Sequence, residues 1–91
     1  MPMFRERPAV VEARQFDGTA ESAREIIDWI KEKGEKASLY KDRNAILLIR
    51  KQGLRDWVTP GYWVLLDEDE DFLVYSPDVF VLKYEEIPNE A

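Results

Sequence analysis

The stretch WVTPGYWVLLDEDEDFLVYSPDVFVLKY, residues Trp57–Tyr84, contains two of the chain's three tryptophans and most of its large apolar side chains. Short apolar runs alternate there with turn residues, a pattern that predicts three or four short strands. Pro60-Gly61 fits a type II turn, in which Gly61 takes a positive φ angle. The strands predicted in or just before this stretch are Leu54–Val58, Tyr62–Leu66, Phe72–Tyr75 and Val79–Tyr84.

The N-terminal half contains the one predicted helix, Ala20–Lys33. Its apolar residues recur three and four positions apart and so form a single stripe. Gly34 follows the last turn, where a left-handed C-cap is expected. Trp29 lies beside the stripe and is interpreted as a lid over the edge of the core. The remaining predicted strands are Ala9–Phe16, Ala37–Lys41 and Ala45–Arg50, of which the last is apolar on both faces and therefore central.

These elements predict an α+β fold with one amphipathic helix packed on a curved, mainly antiparallel sheet of about six or seven short strands. A partly closed barrel is one form that such a sheet takes, with the N-terminal strand pairing with the last one. The 91 residues are predicted to form a single domain, 1–91, with an ordered core from about residue 9 to 85.

Composition argues against most catalytic chemistry. The chain has neither cysteine nor histidine, which removes thiolates, disulfides and the commonest general base. Its serines therefore have no histidine to activate them, and a domain of this size rarely encloses a cleft that perturbs carboxylate pKa values. We predict a protein that is not an enzyme and holds no cofactor or metal. No apolar run reaches the ~18–20 residues of a membrane span, and the N-terminus lacks the apolar region of a signal peptide, so an intracellular, soluble protein is expected.

The net charge of −6 is distributed unevenly. Residues 31–55 carry a net charge of +5, whereas residues 56–91 carry −9. Basic groups near aromatic rings can hold single-stranded nucleic acid through phosphate contacts and base stacking. The alternative is a polar sheet face, and the acidic pI of about 4.6 favours it. The basic cluster comprises Lys41, Arg43, Arg50, Lys51 and Arg55, with Tyr40 and Trp57 close by.

The acidic run Asp67–Asp71 has a spacing that partly matches a calcium-binding EF-hand loop. That loop needs glycine at its sixth position, where this chain has Phe72, and it lies between two helices that are not predicted here. The preferred interpretation is a solvated hairpin loop whose charges keep the neighbouring strand edges from aggregating. A second hypothesis is that residues 67–90 imitate a nucleic-acid backbone and inhibit a host defence enzyme.

Four segments together resemble a family of small proteins common in tailed bacteriophages, especially those of actinobacteria: VEARQF at 11–16, REIIDWI at 24–30, VTPGYWVL at 58–65 and SPDVFVLKYE at 76–85. The family pattern has Asp where this chain has Tyr62, and its Gly-Glu-Phe-Tyr-Pro segment appears here only as residues 71–75. The resemblance implies phage origin and a host-cell cytoplasm, but no activity and no catalytic residue. The motif residues are interpreted as architectural, a tight turn and buried aromatics.

The preferred functional hypothesis is a phage-encoded accessory protein that acts by protein–protein interaction in the host cytoplasm. Its partner would be a host or phage protein, with a homodimer as an alternative and no membrane involved. Nucleic acid is the less favoured partner, either bound directly through residues 41–57 or imitated through residues 67–90. Tyr62 is expected to be the most exposed aromatic, because it replaces the family's Asp. The predicted interaction surface comprises Tyr62, Trp57, Lys41, Arg43, Lys51, Asp67, Glu68, Asp69, Glu70 and Asp71.

Overall fold

The computed structural model describes residues 11–50 and 53–84. The fold of this part is α+β, as predicted, but it contains two helices rather than one, together with six strands. In chain order the elements are β1 (Glu12–Gln15), α1 (Ala20–Glu32), β2 (Lys36–Tyr40), β3 (Ala45–Ile49), β4 (Arg55–Val58), β5 (Trp63–Leu66), β6 (Phe72–Tyr75) and α2 (Pro77–Lys83).

The strands form two separate antiparallel sheets of three strands each, with the orders β1-β5-β6 and β2-β3-β4. The central place of β3 and the antiparallel pairing confirm two predictions. The single curved sheet and its partial closure into a barrel are wrong for the described residues. The first strand also does not pair with the last segment: Glu12 lies opposite Leu66 and Gln15 opposite Trp63. The last segment is helical and therefore offers no strand edge to β1.

Helix α1 begins and ends with side-chain and backbone caps that its sequence encodes. Thr19 is the N-cap, and its hydroxyl accepts a hydrogen bond from the Ser22 N–H at 3.1 Å. At the other end Gly34 adopts a φ of 88°. The N–H of Gly34 donates to the Lys31 carbonyl, and the N–H of Glu35 donates to the Ile30 carbonyl, which is the Schellman arrangement. The predicted helix is thus confirmed to within one residue at its end.

The core lies between α1 and the facing sides of the two sheets. Trp29 is only 4% exposed and meets the Phe72 ring edge-on at 5.1 Å between centroids. Trp29 is therefore part of the core and not a lid over its edge, because α1 crosses close enough to β6 to bury the whole indole. The buried cluster comprises Phe16, Ala23, Ile26, Trp29, Ile30, Ala37, Ile46, Leu48, Val58, Val64 and Phe72.

The turn between β4 and β5 joins both sheets to the end of β1. The Tyr62 N–H donates to the Thr59 carbonyl at 2.9 Å, and Gly61 adopts a φ of 96°, which confirms the positive angle predicted there. The Gly61 N–H also donates to the Phe16 carbonyl at 2.6 Å. A glycine is needed at position 61 because an L side chain at this φ is strained.

The segment predicted as a last strand, Val79–Tyr84, is instead most of α2. Ser76 is its N-cap and accepts from the Val79 N–H, while Pro77 occupies the first turn. The β-branched and aromatic residues favour a strand. The Ser-Pro-Asp start and the stacking of two aromatic rings on the sheet override that preference.

Candidate functional site

Aromatic rings on one side of helix α2 hold it against a neighbouring sheet. The Phe80 ring stacks on the Trp63 ring at 4.1 Å between centroids and an interplanar angle of 7°. Phe80 also stacks on Tyr84 at 5.2 Å, and Tyr84 lies 5.9 Å from Tyr75. Phe80 and Tyr84 are four residues apart and so share one side of the helix. These rings attach α2 to the side of sheet β1-β5-β6 that faces away from the core.

The opposite side of α2 presents aliphatic side chains to solvent. Leu82 is 85% exposed and Val81 is 69% exposed, and Val79 is also exposed. No residue of α2 is buried. We name these three side chains, Val79, Val81 and Leu82, the α2 ridge. Exposed apolar side chains grouped on one short helix mark a candidate site of interaction with proteins or membranes.

The acidic loop, residues 67–71, connects β5 to β6. Asp67 organises it, since its Oδ1 accepts from the N–H groups of Asp69 and Asp71, each at 2.9 Å. Glu70 adopts a φ of 61° to close the turn. The loop is the solvated hairpin connection that the sequence predicts, and its remaining carboxylates at Glu68, Asp69, Glu70 and Asp71 are exposed.

Tyr84, the last residue of the ring-stacked side of α2, has a shifted pKa. Desolvation raises the pKa of Tyr84, and so do Tyr75 and the nearby carboxylate of Asp67. Tyr84 is the C-cap of α2, so these effects act at the C-terminal end of the ring-stacked side of the helix.

A second exposed surface lies on sheet β2-β3-β4. Tyr40 is 46% exposed and Trp57 is 37% exposed, and the two rings meet edge-to-face at 5.1 Å. The Arg43 guanidinium lies over the Trp57 ring at 4.9 Å from its centroid. We name the side of this sheet that faces away from the core the outer sheet face.

A cleft of about 200 Å³ separates the acidic loop from the β3–β4 hairpin. In it, the Arg50 guanidinium forms a half-buried ion pair with Asp56 at 2.6 Å. Among the described residues, no group of three or more carboxylates gathers at metal-binding distance. The cleft is lined by Glu35, Arg50, Leu54, Asp67, Asp71, Phe72 and Leu73.

The structure divides the predicted interaction surface into separate places. Arg43 contacts Trp57 on the outer sheet face, and Lys41 lies in the same hairpin turn. The acidic residues lie on the other sheet, and Lys51 falls outside the described residues. Tyr62 is half-buried and packs against the core, so the expectation that it is the most exposed aromatic is wrong. Its backbone bonds to Phe16 and Thr59 hold it inward.

The α2 ridge was missed by sequence reasoning. Its residues were assigned to a strand, in which Val79 and Val81 would share one face and Phe80 and Leu82 the other. The signal that could have found it is Ser76-Pro77-Asp78, a helix N-cap followed by proline at the first position. With a helix in place, the spacing of Phe80 and Tyr84 separates the anchoring side from the exposed one.

Comparisons with protein-family models, with curated proteins and with solved structures find no match to this chain. In the part of the chain that the structure describes, no helix has the length and hydropathy required to cross a bilayer.

Proposed function

We propose that this protein acts by binding a partner protein through the α2 ridge, and not by catalysis. The observation that carries the proposal is the exposure of Val81 and Leu82 on a helix whose other side is held in place by stacked rings. A preformed helix pays little ordering entropy on binding, which favours recognition of the helix-in-groove type.

The partner we propose has an apolar groove with basic side chains at one end. The three ridge side chains offer on the order of 300 Å² of apolar surface, worth about 25 cal/mol per Å². A stable specific interface needs roughly 800 Å² from each partner, so the ridge supplies only part of the surface that the partner covers. Basic groups beside such a groove would complement the exposed carboxylates of the acidic loop.

The biological setting of the proposal comes from the sequence resemblance. We propose on this basis that the protein is a phage-encoded accessory factor that acts in the host cytoplasm on a host or phage protein. The aromatic residues of the quoted segments support an architectural role for the motif, since Trp63 and Phe80 stack on each other. The residue that replaces the family's Asp, Tyr62, packs on the core.

Site-specific photo-crosslinking in cells that express the protein tests the proposal. A photoreactive amino acid at Leu82 is expected to capture one protein, whereas the same group at the exposed Arg24 of α1 is not. The captured protein is then purified, and its binding to the wild type and to Leu82→Asp is measured by calorimetry. We expect at least a tenfold loss of affinity for Leu82→Asp, because a charge on the ridge would be buried without a counter-ion.

Two outcomes contradict the proposal. Adducts formed equally at positions 82 and 24 would show that the ridge is not selective. If adducts form only between copies of this chain, the ridge mediates a homodimer and does not bind a partner protein. Circular dichroism of Leu82→Asp serves as the folding control, and we expect it to match the wild type since Leu82 makes no buried contact.

A further inference from the structure

The outer sheet face carries cations and aromatic rings and no carboxylate among the strand positions described. Strand register assigns every second residue of β2, β3 and β4 to this side. On β2 and β4 these positions are exposed, whereas their neighbours in sequence pack inward. The outward positions are Lys36, Ser38, Tyr40, Ala45, Leu47, Ile49, Arg55 and Trp57.

The two rings of this face form a platform across the central strand. Tyr40 lies opposite Ala45, and Trp57 lies opposite Leu47, so the rings approach from the two flanking strands. The small side chain of Ala45 leaves room for them to meet at 5.1 Å above β3. Ala45 and Leu47 are buried beneath, although they point away from the core. The platform is thus supported from below, and both rings remain partly exposed to solvent beside the Arg43 guanidinium that lies over Trp57.

The β2–β3 hairpin turn adds cations to one end of the platform. The Arg43 N–H donates to the Tyr40 carbonyl, and the Asn44 N–H donates to the Lys41 carbonyl. Asn44 takes a φ of 47°, which turns the chain back into β3. This geometry holds the Arg43 guanidinium over the Trp57 ring. Asp42 is the one carboxylate in the described turn, against Lys41 and Arg43.

We propose that the outer sheet face binds single-stranded nucleic acid. Bases would stack on the planar groups of Tyr40, Trp57 and Arg43, which accept any base because every base has a π-face. The exposed cations around the rings would contact the phosphates. They are Lys36, Lys41, Arg43 and Arg55.

The local charge of this face favours a polyanion even though the whole chain is acidic. The acidic loop belongs to the other sheet, and α2 packs on that sheet as well. An acidic protein would complement the cations equally well, but it would not need an edge-to-face ring pair that is open to solvent. A duplex keeps its bases stacked internally and cannot use the rings. The ring platform therefore selects for unpaired bases.

Fluorescence anisotropy with labelled oligothymidylate and oligouridylate tests the proposal. A length of about 12 nucleotides lies within the roughly 4–16 nucleotides that small single-strand-binding folds cover. We expect both probes to bind, and a duplex of the same length to bind at least tenfold more weakly. Four phosphate contacts at a slope of about −0.7 each predict a roughly 50-fold fall in affinity between about 50 and 200 mM salt.

Two variants separate stacking from charge. Trp57→Leu keeps apolar cover over Leu47 but removes a stacking surface, and it is expected to weaken binding roughly 5- to 100-fold. The double variant R43E/R55E is expected to abolish binding. Its matched control, R24E/K31E, changes the net charge equally on exposed positions of α1 and should weaken binding less than threefold.

Three results would overturn the proposal. One is no anisotropy change with either probe at low salt. Another is equal loss of binding in R43E/R55E and R24E/K31E, which would mean that only net charge matters. The third is binding of the duplex as tight as that of the single strand. Far-UV circular dichroism and a cooperative thermal transition of Trp57→Leu and R43E/R55E confirm that each variant is folded, so that a loss of binding reports on the face itself.

Discussion

Replacement of Phe80 by alanine should detach α2 while leaving the core folded. Truncating a fully buried phenylalanine costs about 3–5 kcal/mol, and Phe80 is half-buried, so about 2 kcal/mol is lost from burial. Loss of the Trp63 stack adds roughly 0.5–1.5 kcal/mol. A helix of seven residues has no stability of its own to compensate. The expected total is about 2.5–3.5 kcal/mol, concentrated in α2.

Hydrogen–deuterium exchange measures this effect directly. The N–H groups of Phe80 and Tyr84 are bonded within α2, to the carbonyls of Ser76 and Phe80. Their protection should fall roughly 60- to 300-fold in Phe80→Ala, because every 1.4 kcal/mol is a factor of ten. The core amides at Ile46 and Leu48 should change much less, since the rings on which Phe80 stacks, Trp63 and Tyr84, are not members of the buried cluster.

Leu82→Ala is the matched control on the same helix. Leu82 is 85% exposed, so its truncation should change stability by less than about 0.5 kcal/mol. The reasoning is refuted if Phe80→Ala leaves the protection of α2 within threefold of the wild type. It is also refuted if the core amides lose protection to the same extent as α2, because α2 and the core would then unfold as one unit.

Three further predictions concern the caps and turns. Gly61→Ala should lower the free energy of unfolding by about 1–2 kcal/mol, measured by urea titration, because alanine is strained at a φ of 96°. Hydrogen bonds from Thr19 and Ser22 lower the pKa of the Asp17 carboxyl group below its usual value of 3.8. The charged carboxylate therefore stabilises the folded state above that pH, and this stabilisation is lost as the pH falls through the lower pKa of the folded protein. The difference in Tm between wild type and Asp17→Asn should therefore shrink below about pH 4; a constant difference would contradict this. Asp67→Ala removes the acceptor for two loop N–H groups and should cost about 1 kcal/mol, with faster exchange at residues 69 and 71 but not in α1.

Sequence reasoning predicted the elements whose signals are local. The apolar stripe of α1, its N-cap region and Gly34 each predict the same helix. In the structure that helix ends one residue earlier than predicted. The apolar sequence of β3 indicated a central strand, and the positive φ of Gly61 followed from its place after proline. In each case propensity, pattern and turn chemistry point to the same local structure.

The errors come from contacts that are distant in sequence. Val79–Tyr84 has strand propensity, and its helix depends on the stacking of Phe80 on Trp63, a residue in a different element. The division into two sheets depends on the pairing of β1 with β5, which no local pattern specifies. The depth of Trp29 likewise follows from how closely α1 approaches β6.

The candidate surfaces were predictable only in part. Lys41, Arg43 and Trp57 were grouped because they are close in sequence, and the structure brings Arg43 onto the Trp57 ring. The α2 ridge could not be derived while its residues were assigned to a strand, because a strand divides Val81 and Leu82 between two faces. An incorrect element thus concealed the surface on which the proposed function depends.

The most direct test of this account is a nuclear Overhauser spectrum of the dilute protein. We expect cross-peaks between the Phe80 ring and the Trp63 indole, whose centroids lie 4.1 Å apart, and none from the Leu82 methyl groups to core residues. Cross-peaks from the Leu82 methyl groups to the core, with none between Phe80 and Trp63, would place the ridge inside the fold and contradict the account.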